Sequence, residues 1–133
     1  MWTKNIFTSV YSRVSANGRI RLVSKYPKIN FTNSTPKSNI TSFPTVVISD
    51  LDGNDTGRTL EGNDVNATFS NIEIQVTTNT SQEDANYIAD VCYDLITTMR
   101  YGATLRPSPN SIKDNEYRNV ARYRRLVGKG DIL

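Results

Sequence analysis

The sequence predicts an α+β fold, one mainly antiparallel sheet packed on two helices, with elements in the order α-β-β-β-α-β. Three stretches carry this expectation. Residues 81–101, SQEDANYIADVCYDLITTMRY, place Ala85, Ile88, Ala89, Cys92, Leu95, Ile96 and Met99 at three- and four-residue steps, along one stripe of a helix. FPTVVISD at 43–50 is a β-branched run with Pro44 at its start, where a strand tolerates proline. ATFSNIEIQVTT at 67–78 sets Phe69, Ile72, Ile74 and Val76 against polar neighbours, the mark of a strand with one buried face. A slip of phase between Phe69 and Ile72 suggests a bulge near Ser70 or Asn71.

The remaining elements follow in order. Over residues 3–23, Ile6, Phe7, Val10, Val14 and Leu22 predict an amphipathic helix, with its second half weakened by Gly18. Glycine costs about 1 kcal/mol in a helix interior. Tyr26-Pro27 ends that helix, because proline keeps its predecessor out of the helical region. KINFT at 28–32 alternates like a short strand, and 33–42 reads as a loop around Pro36. Residues 51–66, with Gly53, Gly57 and Gly62, read as a mobile hairpin tip. In the 81–101 helix, Ser81 is the expected N-cap, and Glu83 and Asp84 meet the positive end of the dipole. Arg100 and Gly102 supply the closing signals, a cation and a residue free to take positive φ. Residues 103–113, with Pro107 and Pro109, read as a loop. NEYRNVARYRRLV at 115–127 puts Tyr117, Ala121, Tyr123 and Arg125 near one face and Arg118, Val120, Arg122, Arg124 and Leu126 near the other. Period alone leaves strand and helix open there; its aromatics and valines favour strand. Residues 128–133 form an expected flexible tail.

At 133 residues the chain fits one domain. Nothing approaches the ~18 apolar residues of a membrane span, and the N-terminal stretch lacks an apolar signal core, so a soluble, non-exported chain is expected. Histidine is absent, which removes Ser-His and Cys-His catalysis and the commonest zinc ligand. The single cysteine, Cys92, lies on the apolar stripe and reads as a buried small side chain.

The charge is segregated along the chain. Residues 1–44 hold seven Lys or Arg and no acid, residues 45–99 hold ten acids and only Arg58, and residues 100–133 hold eight basic residues against three acids. Such blocks suit opposite-signed surfaces facing neighbouring subunits or a polyanion; the plainer alternative is neutralisation within the fold.

The stretch 50–61, DLDGNDTGRTLE, has Asp50, Asp52, Asn54 and Glu61 at the oxygen-ligand positions of an EF-hand loop. Asp55 stands where that loop needs glycine, and a strand precedes it, so a polar hairpin tip is the expected structure. Six Asn-x-Ser/Thr sequons are what an Asn- and Thr-rich composition produces. Asp90 and Asp94 lie four apart on the helix face opposite the apolar stripe, a solvated or subunit-facing row with no accompanying nucleophile. The run Arg118, Arg122, Tyr123, Arg124, Arg125, Lys129 has the basic-aromatic character of nucleic-acid binding, or of a basic edge strand that meets an acidic neighbour. No catalytic constellation, cofactor site or metal site is expected.

Lys25-Tyr26-Pro27-Lys28-Ile29, Phe43-Pro44-Thr45-Val46-Val47-Ile48, the acidic loop, Ile72-Glu73-Ile74-Gln75-Val76, the long helix and Tyr117-Arg118-Asn119-Val120-Ala121-Arg122-Tyr123-Arg124 together resemble the tail terminator (tail completion) proteins of long-tailed double-stranded DNA bacteriophages. The likeness spans about residues 9–127 and departs at Asn17-Gly18, where the family's first helix is usually unbroken. It implies a hexameric ring at the tail-neck junction of the virion, assembled in the host cytoplasm, which caps the tail tube protein and meets the neck or head-closure protein. Asp50, Asp52, Asp55, Arg58, Glu83, Asp90 and Asp94 would then face subunits or partners, and Arg118, Arg122, Arg124 and Arg125 would line the channel, with transient DNA contact, or staple subunits. A neck or head-closure connector and a small basic DNA-binding module are the alternatives.

Overall fold

The computed structural model describes residues 4–33, 43–51, 67–109 and 116–128. Its elements are α1 (Lys4–Leu22), β1 (Asn30–Thr32), β2 (Thr45–Asp50), β3 (Ala67–Thr78), α2 (Gln82–Thr97), β4 (Gly102–Pro109) and β5 (Tyr117–Gly128). The strands form one sheet in the order β1-β2-β3-β5-β4, with β1 parallel to β2 and every other pairing antiparallel. Both helices pack on one face, giving the two-layer α+β arrangement. The expected hairpin tip is mostly outside the described residues, although β2 and β3 are antiparallel neighbours.

In α1 the buried positions are Ile6, Val10, Val14, Gly18 and Leu22, every fourth residue. Gly18 does not break the helix; it lets a neighbour approach. A Cβ there would lie 2.8 Å from Cζ of Phe31, the inward side chain of β1, and 3.6 Å from Leu95 Cδ1 of α2. The helix leaves through Tyr26, whose amide donates to the Leu22 carbonyl at 2.7 Å.

α2 buries Ala85, Ile88, Ala89, Val91, Cys92 and Ile96 against the sheet. Ser81 caps it in an extended conformation, and its Oγ accepts from the Asp84 amide at 3.1 Å. The Asp84 carboxylate accepts from Tyr26 Oη at 2.8 Å and from the Thr80 hydroxyl. One side chain thus joins the start of α2 to the exit of α1. At the other end the expectation for Gly102 fails. Arg100 takes the positive φ, 67°, while Gly102 opens β4.

β4 is the element that the prolines concealed. Residues 102–109 form an edge strand on β5 rather than a loop, with register shifts between Ala103 and Leu105 and between Leu105 and Ser108. Proline is tolerated on an edge, where one side of the strand has no ladder partner. β5 is therefore internal, which removes the basic edge strand as one of the two readings of its arginines. The predicted bulge in β3 is also absent: β3 and β5 pair in unbroken register from Ala67↔Gly128 to Thr78↔Tyr117. Phe69 is out of phase with Ile72 because it faces the other side of the sheet.

The core lies between the helices and the inward residues Val46, Ile48, Ile72, Ile74, Val76, Ala121 and Tyr123. Burying each such aliphatic side chain contributes about 1.5–3 kcal/mol. A polar seam closes one side. Gln82 Nε2 donates to the Arg118 carbonyl at 3.0 Å, and Asn119 Nδ2 donates to Asn86 Oδ1 at 2.8 Å, fixing the start of α2 over β5.

Candidate assembly surface

Strict alternation in β5 creates the candidate site. Asn119, Ala121, Tyr123, Arg125 and Val127 are buried beneath the helices, while Arg122, Arg124 and Leu126 are exposed on the opposite face and Arg118 and Val120 are half-buried. Among the described residues no helix covers that second face.

Each outward arginine has a partner on β3. Arg122 Nε donates to Glu73 Oε2 at 3.1 Å, across the directly paired positions. The Arg124 guanidinium stacks over the Phe69 ring at 3.6 Å from its centroid, a cation–π contact. Turning the Gln75 amide so that its oxygen faces Arg118 lets it accept from Nε at 2.8 Å. Each guanidinium is thereby tethered to β3 with donors to spare.

Beside them lies an apolar patch that periodicity did not reveal. Phe69 is 43% exposed and pairs across the ladder with Leu126, 55% exposed. Leu51, just past β2, whose amide donates to the Asn71 carbonyl at 2.9 Å, is exposed near this pair, and Leu105, paired with Arg122, is exposed further along the sheet. Toward the other end of this face Thr45, Val47 and Thr77 are buried. A signal for the patch did exist: holding the phase of β3 constant through Phe69 puts that ring outward.

Arg125 departs from the expected basic group. It is 7% exposed on the helix-covered face, and its Nη1 donates to the Met99 carbonyl at 2.9 Å. Nearby, Tyr101 Oη donates to Ser70 Oγ at 2.7 Å. Arg125 thus holds the turn after α2, and the outward set is Arg118, Arg122 and Arg124.

The acidic set lies on the far side of the molecule. Glu83, Asp90 and Asp94 are exposed on the outer side of α2. Tyr87 shares their stripe, 44% exposed, with Lys25 Nζ 4.2 Å from its ring centroid. Asp94 Oδ2 lies 4.0 Å from Arg21 Nη2, an exposed pair of small energetic weight. Asp50 is exposed at the end of β2, whereas Asp52, Asp55 and Arg58, with the rest of the calcium-loop pattern, lie outside the described residues. The structure therefore separates the acidic and basic candidates rather than joining them in one site.

Groups with displaced proton affinity sit on the helix side of the sheet. Burial pushes the Cys92 thiol up to about 12, so it stays neutral. Burial first, and for Tyr26 the bond to Asp84 second, raises the Tyr26 and Tyr123 phenols. Hydrogen bonds from Thr80 and then Tyr26 hold the Asp84 carboxyl below its ordinary value. Each shift favours the protonation state that packing requires. Among the described residues no three His, Cys, Asp or Glu side chains converge as metal ligands. What the surface offers is binding chemistry: planar cations, a flanking apolar patch, and an acidic stripe facing the other way.

No protein-family model matches this sequence, and no curated protein matches it significantly.

Proposed function

We propose that this chain is a structural virion protein, a ring-forming tail terminator of a long-tailed double-stranded DNA bacteriophage. It caps the tail tube and joins the tail to the neck, at the tail-neck junction, after assembly in the host cytoplasm. One observation carries the proposal beyond the resemblance: a small two-layer subunit presents a basic, partly apolar sheet face on one side and an acidic helix stripe on the other. A subunit in a cyclic assembly contacts two neighbours through different patches, and opposite signs suit those patches to each other. The protein's work in this role is mechanical, and no catalytic step is assigned to it.

A DNA-binding module is the second reading, favoured by the outward arginines beside Phe69. Against it, the same face carries the Glu73 carboxylate beside Arg122, and the acidic stripe of α2 has nothing to meet on DNA.

Native mass measurement combined with binding to purified tail tubes tests the proposal. A hexamer that blocks further tube growth is expected. A monomer that does not bind tubes overturns it; binding to filled heads instead reassigns the chain to the neck, and monomeric binding to duplex DNA with steep salt dependence reassigns it to the module.

A further inference from the structure

The two faces match each other in the order of their residues as well as in sign, with rows of comparable length. Outward residues along β5 recur every ~6.8 Å, two residues at ~3.4 Å each, which sets the interval from Arg122 to Arg124 and from Arg124 to Leu126. Along α2, Asp94 to Asp90 advances ~6 Å and Asp90 to Tyr87 ~4.5 Å, at 1.5 Å per residue. Both rows run cation-cation-apolar and anion-anion-aromatic in the same sense. We infer that the occupant of the sheet face is α2 of a second copy of this chain, with Asp94 against Arg122, Asp90 against Arg124, and Tyr87 against Phe69 and Leu126.

Exposure and charge support this pairing. Phe69, Leu126 and Tyr87 are large side chains left more than two-fifths exposed, and they lie beside the charges of their own faces. Asp90 has no ion pair among the described residues, and the Asp94–Arg21 contact, at 4.0 Å between exposed groups, is readily exchanged. Lys25 and Tyr26 each touch the Tyr87 ring, and the exposed part of the ring faces the neighbour. Because the two patches lie on opposite faces of the subunit, the contact is heterologous: each copy gives its helix to one neighbour and its sheet to the next. The inference rests on the ring proposal for its closure, but not for the identity of the contacting residues.

Charge exchange tests it, with particle mass read across a concentration series. Asp90→Lys and Arg124→Glu each replace an exposed side chain, so the monomer keeps its fold, checked by an unchanged circular dichroism spectrum and melting temperature. Each single variant is expected to raise the half-assembly concentration by about tenfold or more, through like-charge repulsion. The double variant D90K/R124E, and an equimolar mixture of the two singles, should return it to within about threefold of wild type, as a directly coupled pair requires. Tyr87→Ala should weaken assembly without being rescued. Singles that assemble like wild type, or a double variant no better than either single, overturn the docking while leaving a wild-type ring in place. A wild-type chain that remains monomeric overturns both the docking and the ring.

Discussion

Gly18→Ala sets helix propensity against packing at a single atom. Alanine stabilises a helix interior by about 1 kcal/mol relative to glycine. At this position, however, the new Cβ would stand 2.8 Å from Phe31 Cζ and 3.1 Å from Phe31 Cε1, well inside carbon–carbon contact. Phe31 is a buried ring in the core cluster, so its retreat displaces neighbours. Overpacking of this kind costs about 1–3 kcal/mol, and the balance is a net loss of about 1 kcal/mol. In a Phe31→Leu background the obstructing ring atoms are gone, and the same substitution should stabilise by about 1 kcal/mol. The observable is thus a reversal of sign, with a coupling energy of about 2 kcal/mol in a double-mutant cycle. Urea unfolding followed by far-ultraviolet circular dichroism measures all four proteins. If Gly18→Ala stabilises the wild-type chain as much as it stabilises the Phe31→Leu chain, close approach is not why glycine stands there.

Three further outcomes follow from single residues. Arg125→Ala should destabilise by about 2–4 kcal/mol in urea titrations, because it orphans the Met99 carbonyl and empties buried volume, whereas Arg122→Ala should change stability by less than about 1 kcal/mol. Arg100→Gly should raise stability by about 0.5–1 kcal/mol, since φ is 67° there and a side chain is strained in that region; a loss in the melting curve would show that the side chain itself holds the turn. The depressed Asp84 carboxyl contributes stability that is complete above its unfolded pKa, about 4, and is lost as pH falls through the lower folded value. Asp84→Asn should therefore flatten the acid side of the urea midpoint against pH.

How far such features were legible depended on whether they repeat. The stripe of α2 and the alternation of β5 each recur several times, so their faces were readable from period even where strand and helix competed. Period does not say which face is covered, or by what. Arg125 looks like Arg118, Arg122 and Arg124 in sequence; its burial is decided by the Met99 carbonyl, which the turn after α2 turns toward it. Phe69 was misplaced for the opposite reason. An aromatic ring in a strand is expected inward, and keeping Phe69 there needs a bulge, whereas regular pairing with β5 puts it outward. Pro107 and Pro109 hid β4 because local propensity speaks for the residue alone and not for its place at the rim of a sheet. The positive φ fell to Arg100 instead of Gly102 because the turn closes two residues earlier than the glycine.

That rim has a consequence for the unassembled chain. A bare strand edge is a template on which another chain can add a strand without limit, the geometry of aggregates. Among the described residues one border is the three-residue β1, and the other is β4, irregular in register and carrying two prolines that donate no amide hydrogen. Newly made copies can accumulate beside one another with few backbone donors and acceptors to share, and what brings them together is left to side chains. Replacing Pro107 and Pro109 by valine and threonine would restore those donors. The expected result is a protein that folds as before and precipitates on concentration.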